Sequence, residues 1–480
     1  MPKRNLIGAL AIVAAAVATV LLTRNAMPPP SPSDPDQIRF RPVLRAYRLV
    51  REQAYRRPNE RALQQGAVRG MAESLDPFSG YVPASRVAAF RARLNGHVLC
   101  VGLVVDVCRG EAEVIGSLPG SPAHRAGIVP GGRLVSVNGR PAAELGAEEI
   151  RKVLGGPTGE PVEVVLRDRG GRRRRYELEP RRFPLETVTG WRRGPDGPWD
   201  HWLAADERIA FLRIREFVAD TTERVRRALR SAPGARGLVM DLRDNPGGRL
   251  EIGFSVANLF LRGGVILTKI DRRGRRQSFS AQPDGTLPGV PMIVLVNART
   301  ASAAEIVAGA LRLHGRAVLV GTRTRGKGLV QSMIPLPDDL GLVNLTTAEF
   351  LLGLDGRVAR RPGAEAWGVD PHREMDLTAA EERARRRFWL EADVVPPRSP
   401  PPASAPATAP ATAPATRPAG SALSRDRQLA AALALLRRPG AVEKILAEAA
   451  AERKRREARA PRPPEDRSDS APAPGANRDD

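Results

Sequence analysis

The chain has 480 residues and a formal charge of +23, too long for one ordinary domain and enough for about three. That charge raises nucleic acid as a partner, but only 4% of residues are aromatic and there is no zinc-finger spacing, helix-turn-helix signal or RNP-type run, so no nucleic acid is expected and the arginines read as solvated faces. Five histidines without ligand spacing and two cysteines give no metal site, and no cofactor is implied.

Lys3 and Arg4 precede an apolar run from Leu6 to Leu22, closed by Arg24. Its length lies between a signal-peptide core and a membrane span. With no clean small-x-small cleavage site after it, residues 1–26 read as a membrane anchor, or else a signal peptide. The leading positive charge keeps that end in the cytoplasm and puts the rest in the cell envelope, on the periplasmic side of the inner membrane. Residues 27–35 form a Pro/Ser-rich spacer. Residues 36–94 have helical periodicity (Val43, Leu44, Tyr47, Val50, then Leu63, Val68, Met71, Leu75) and read as a helical N-terminal domain.

Residues 95–182 change to short β-runs between glycine turns. Cys100-Val-Gly-Leu-Val-Val-Asp-Val-Cys108 reads as one strand; such a length spans roughly 26 Å when straight, beyond disulfide reach. Ser121-Pro-Ala-His-Arg-Ala-Gly127, the Pro130–Gly139 stretch with its Asn-Gly turn, a helix at Ala147–Leu154 and a strand at Val162–Leu166 follow. This order resembles a PDZ domain, a β-sandwich that takes a peptide as an added strand and holds its carboxylate on backbone N–H groups. The resemblance implies Val101, Gly102, Leu103 and Val104 as the peptide-binding edge. Gly132 departs from the Asp usual at its position.

Residues 183–394 have an α/β pattern. Buried strands are expected at Gly237–Leu242, Met292–Val296 and Ala317–Val320, with helices at Leu250–Leu261 and Ser302–His314, an alternation that argues for crossover units on one sheet. Three stretches at its turns can carry chemistry. Asp241-Leu-Arg-Asp-Asn-Pro-Gly-Gly248 ends a strand in a tight loop that suits a plain turn or an oxyanion hole. Ser302 opens a helix, and Ser302-x-x-Glu305 reads as a capping box, yet the free N–H groups there could equally serve a nucleophile. Gly326-Lys-Gly328 is an incomplete phosphate loop, since glycine takes the Ser/Thr place. Its lysine is either solvated or a general base whose amine is neutral in a dry site. Only six of the 76 Lys/Arg positions are lysine, and arginine could not do a base's work.

Together, Asp241–Gly248, Val294–Leu311, Gly326-Lys-Gly-Leu-Val-Gln331, the phrase Leu75-Asp-Pro-Phe-Ser-Gly-Tyr81, the PDZ-like module and Asp426-Arg-Gln-Leu-Ala-Ala-Ala-Leu resemble, in order, the carboxy-terminal processing (tail-specific) serine peptidases. The resemblance implies an α/β peptidase core akin to the crotonase and Clp-protease fold. It puts the nucleophile at Ser302, the base at Lys327, a supporting Gln331, and oxyanion donors at Ala303 and Gly248. It implies unfolded protein C-terminal tails as partners and leaves the oligomeric state open, a dimer included. Departures are Arg312-Leu313 in place of Gln-Asp, Gly353-Leu-Asp-Gly-Arg357 without its proline, and Trp367-Gly-Val-Asp-Pro-His372 in place of Gly-Ile-x-Pro-Asp. Residues 395–421 are a Pro/Ala-rich linker; residues 422–480 are a basic tail, helical at Asp426–Leu436 and Val442–Arg459, then disordered. The main reading is an endopeptidase that holds substrate tails on its PDZ module; the rival is a catalytically silent PDZ scaffold tethering envelope proteins.

Overall fold

The computed structural model describes residues 35–459 except 109–110, 156–158, 194–197, 284–286, 288, 395–422 and 424. The expected anchor at 1–26, the spacer up to residue 34, the whole linker at 395–421 and the end of the tail lie outside the described residues. Among the described residues no helix is long and apolar enough to cross a membrane.

Residues up to Pro77 form a unit of their own. It holds α1 (Pro35–Gln53), with no buried side chain, and α2 (Glu60–Glu73), started by Asn59, whose side chain accepts Ala62 N–H at 3.0 Å. The second unit begins at Phe78. There the helical reading of residues 36–94 needs a correction: β1 (Gly80–Pro83) interrupts it before α3 (Ala84–Leu94).

The PDZ-like module opens with β2 (His97–Cys100) and closes with β8 (Arg181–Pro184), which pair antiparallel from His97↔Pro184. Between them run β3 (Leu103–Cys108), β4 (Glu111–Ser117), α4 (Pro122–Arg125), β5 (Arg133–Val137), α5 (Ala147–Leu154), β6 (Val162–Arg167) and β7 (Arg173–Leu178). The sheet order β3-β4-β5-β6-β7 leaves β3 at an edge. The run Cys100–Cys108 is not one strand. It breaks at Val101-Gly102, where Gly102 has φ +71° and a Cβ would overlap Ser121.

The α/β core is built on four parallel strands in the order β9 (Ile209–Ile214), β10 (Gly237–Asp241), β13 (Met292–Val296) and β14 (Val318–Gly321), with registers such as Phe211↔Val239 and Val294↔Leu319. Every residue of these strands is buried, as expected for a parallel sheet covered on both faces. Alternate residues serve two cores. Leu238, Met240, Val294 and Leu319 pack with α6 (Thr221–Arg230), α7 (Leu250–Asn258) and α8 (Ala303–Leu313). Phe211, Val239, Ile293 and Val320 pack with Trp389 of α9 (Ala379–Asp393), Leu429 and Leu433 of α10 (Arg427–Arg437), and Val442 and Ile445 of α11 (Ala441–Arg459). The helices beyond the linker therefore complete the second face of this sheet, at about 1.5–3 kcal/mol for each large apolar side chain buried.

A second sheet joins β1, β11 (Val265–Asp271), β12 (Arg276–Ser280), β15 (Leu329–Leu336) and β16 (Gly341–Leu352). Here β1 pairs with β16, Gly80 opposite Asn344, which fixes Gly80–Pro83 against the core.

Candidate active site

Two parallel strands end side by side, and each delivers a loop to one place. After β13, Asn297 N–H donates to Thr300 Oγ1 at 3.0 Å and Thr300 Oγ1 donates to the Leu242 carbonyl at 2.9 Å. The chain then reaches Ser302 with φ +57° and ψ −122°, a backbone conformation that costs a non-glycine residue of order 1–3 kcal/mol and is stored where a side chain must be aimed. The Ser302 side chain makes no cap bond to the helix. Of the expected capping box, the Glu305 half is made: its carboxylate accepts Ser302 N–H at 2.8 Å.

Glu305 does more than cap. It is fully buried, and its Oε1 accepts Thr324 Oγ1–H and Gly326 N–H, both at 2.6 Å. Its Oε2 accepts Ser302 N–H at 2.8 Å and Lys327 N–H at 2.9 Å. One carboxylate oxygen thus holds the backbones of Ser302 and Lys327 together, although they are 25 residues apart. Burial pushes the Glu305 carboxyl above its usual range, and these four hydrogen bonds pull against that.

Lys327 is half-buried. Its Nζ lies 5.1 Å from the Phe78 ring centroid, and Arg325 Cζ lies 5.8 Å from the same ring, so Phe78 puts an aromatic face beside the amine. The glycines on either side pack on protein. At Gly326 (φ +76°) a Cβ would fall 2.6 Å from Trp367, and at Gly328 (φ +54°) it would overlap the Ala359 backbone. Arg360 N–H also donates to the Gly326 carbonyl at 2.8 Å. Trp367 itself lies between Arg323 and Arg360, 4.7 and 4.4 Å from its ring centroid. The departure at His372 is structural too. Its Nδ1 accepts Leu319 N–H at 3.0 Å, and burial, Arg312 and Arg373 lower its pKa to about 4.

Gln331 lies on a strand, β15, at a bulge in its pairing with β16, and its Nε2 donates to Thr346 Oγ1 at 3.0 Å. Ala303 opens α8. Gly248 bridges Phe217, with φ +137°. Among the described residues neither the Ala303 nor the Gly248 N–H has a hydrogen-bond partner. The residue pressed on Ser302 is Gly247, which the sequence did not single out. It has φ +103°, and a Cβ there would fall 2.6 Å from the Ser302 Cβ. Gly247→Ala is therefore expected to cut kcat at least about tenfold with the fold retained, since a 1 Å misplacement can cost about 100-fold. Steady-state kinetics beside a thermal melt checks this; unchanged kcat would show that the loop adjusts freely.

The loop is held by its own polar groups. Asn245 Nδ2 donates to the Ile214 carbonyl at 2.8 Å, and Asn245 Oδ1 accepts Gly247 N–H at 2.8 Å. Ala301 N–H donates to the Asn245 carbonyl at 2.9 Å, tying this loop to the one that carries Ser302. Asp244, at φ +61°, exchanges hydrogen bonds with Asn297 and accepts from Arg385 at 2.7 Å. Burial alone would raise the Asp244 carboxyl, but the charge of Arg385 and these hydrogen bonds hold it well below the usual range.

In the PDZ-like module, Val101 N–H donates to the Leu154 carbonyl at 3.2 Å, next to the end of α5. Leu103 and Val104 lie on the edge strand. Burial raises the Cys100 thiol to about 11, against a hydrogen bond from Gly102 N–H.

Two stretches of the chain match known families. Residues 208–375 match the model of peptidase family S41 and residues 113–168 match a PDZ domain. A carboxyl-terminal-processing protease of Picosynechococcus is 33% identical over 63% of this chain and 72% of its own length. A carboxy-terminal processing protease of Bacillus subtilis is 29% identical over 74% of this chain and 73% of its own. Among solved structures, the photosystem II D1 C-terminal processing protease covers 74% of this chain and 92% of its own at 28% identity, with a TM-score of 0.42.

Proposed function

The chain belongs to peptidase family S41, the carboxyl-terminal-processing serine proteases, and from that membership we propose that Ser302 and Lys327 form its catalytic dyad and that the PDZ module presents substrate tails to them. The observation that carries this is the shared Glu305 oxygen, which fixes both backbones in one frame. The neutral Lys327 amine takes the Ser302 hydroxyl proton as Oγ attacks the peptide carbonyl carbon. The resulting oxyanion is met by the unpartnered Ala303 and Gly248 N–H groups. Lys327 then passes its proton to the leaving amine as the C–N bond breaks; neutral again, the Lys327 amine deprotonates the water that attacks the acyl-enzyme and returns that proton to Ser302 Oγ as the ester bond breaks. Gln331 orients the amine's surroundings from β15. An unfolded C-terminal tail adds to the edge of β3 at Leu103 and Val104, with Val101 and Gly102 shaping the loop before it. Residues 1–26 hold the enzyme at the envelope, on the periplasmic side.

The test is cleavage of a loosely folded reporter with an apolar C-terminal tail, read by intact mass, with wild type, Ser302→Ala and Lys327→Arg. Wild type should cut and both variants should be silent, because arginine keeps the charge but cannot act as a base. Cleavage by Lys327→Arg would put the base elsewhere; binding without cleavage by wild type would favour a scaffold.

A further inference from the structure

We infer that Asp426 and Gln428, on the segment that follows the proline- and alanine-rich stretch, are positioning residues for the oxyanion loop at Asp244–Gly248. This rests on the reading of Ser302 as nucleophile. The strand that leads into the loop ends at Asp241, and the next charged residue, Arg243, points away from Ser302's side of the sheet into the layer of the C-terminal helices. It is completely buried, as is Asp241. Arg243 Nε and Nη2 donate to the two Asp241 oxygens at 2.9 and 2.7 Å. Its Nη1 and Nη2 donate to the two Asp426 oxygens at 2.8 and 2.7 Å, and Nη1 also donates to Gln428 Oε1 at 2.9 Å.

A guanidinium gripped on two sides by carboxylates has one allowed plane. That plane fixes the backbone at Arg243, whose N–H also donates to Asp241 Oδ1 at 2.9 Å. The next residue turns to φ +61° at Asp244, and four residues later comes the Gly248 N–H. Asp426 is not placed there by the loop. It is the N-cap of α10, accepting Leu429 N–H at 3.1 Å, and Gln428 Nε2 donates to the Met375 carbonyl at 2.6 Å. Leu429 and Leu433 seat the helix on the central sheet. The C-terminal segment is thus registered by the core and in turn sets the loop, which assigns a role to the Asp426-Arg-Gln-Leu phrase that the dyad does not use.

The experiment measures kcat and KM on the reporter for the full chain, with inhibition by a peptide boronate, whose tetrahedral adduct needs the oxyanion donors. Wild type, Asp426→Asn, Gln428→Leu and Ser302→Ala are compared, each with a thermal melt. Loss of one oxyanion donor costs about 10²–10³ in kcat, so a loosened loop in Asp426→Asn should lower kcat at least about tenfold with KM within about twofold. Boronate affinity should fall by the same factor. Gln428→Leu, which changes no charge, should stay folded and lose about threefold or more in kcat, and it decides the matter if Asp426→Asn fails to fold. Wild-type kcat in the folded variants, or a rise in KM alone, overturns the inference while the Ser302 reading stands. Cleavage by Ser302→Ala overturns the Ser302 reading and the inference with it.

Discussion

Glu305→Gln is expected to lower kcat/KM at least about a hundredfold and to destabilise the fold. The carboxylate accepts four donors, two on each oxygen. An amide can accept on one oxygen only and presents N–H to the donors on the other side. Either the Ser302 and Lys327 amides or the Thr324 and Gly326 pair then lose their acceptor, at about 1–3 kcal/mol for each buried donor left unmade. Relief of the cost of burying a charge works the other way, and burial does raise the Glu305 carboxyl. We expect the lost bonds to dominate, because four donors converge on a side chain with no exposed surface. Ser302 and Lys327 would lose their common anchor, and a shift of about 1 Å between reacting groups is enough for about 100-fold. Kinetics at a temperature where the melt shows the variant folded checks this. Retention of half the wild-type activity would mean that the two loops hold each other without the carboxylate.

Arg243→Met should cost about 3–5 kcal/mol of stability at neutral pH, the range for removing one partner of a buried ion pair. It leaves Asp241 and Asp426 buried, facing a space with no cation from residue 243. In the wild type, burial pushes the Asp426 carboxyl up, but Arg243's charge and hydrogen bonds bring it below its usual range. Without Arg243 burial is opposed only by the Leu429 N–H and the charge of Arg385, and the folded-state pKa is expected to rise above the unfolded value of about 3.9. A carboxyl raised in this way favours folding at low pH and loses that contribution as pH rises through the folded value. The stability gap between wild type and variant should therefore narrow as pH is lowered. Urea midpoints across the acid range measure it. A gap under about 1 kcal/mol at neutral pH would show that the network contributes little net stability.

Much of the core was legible because its signals are local. Buried parallel strands are continuous apolar runs, so Gly237–Asp241 and Met292–Val296 emerged close to their observed limits, and Ala147–Leu154 agreed at both ends. Ser302 drew notice as a residue that opens a helix after a strand, and Lys327 as a scarce lysine between two glycines. What joins them was not legible. Glu305 read as a cap, since the other three of its four bonds come from Thr324, Gly326 and Lys327, on the far side of a helix and a strand. Strand Gly80–Pro83 was hidden because its partner Asn344 lies more than 250 residues away and four residues between helices show no alternation. The break at Gly102 was missed because the flanking residues are β-formers on both sides, and what demands the glycine is its φ of +71° and the close approach of Ser121.

The central claim is that Ser302 is activated by a neutral Lys327. Its most direct measurement is the rate at which a fluorophosphonate labels the protein as a function of pH, with the adduct mapped by mass spectrometry, in wild type and Lys327→Arg. The account predicts a single adduct on Ser302 whose rate of formation rises with pH as the amine loses its proton, and negligible labelling of Lys327→Arg. A rate independent of pH while the protein stays folded, an adduct on another residue, or equal labelling of Lys327→Arg would contradict it.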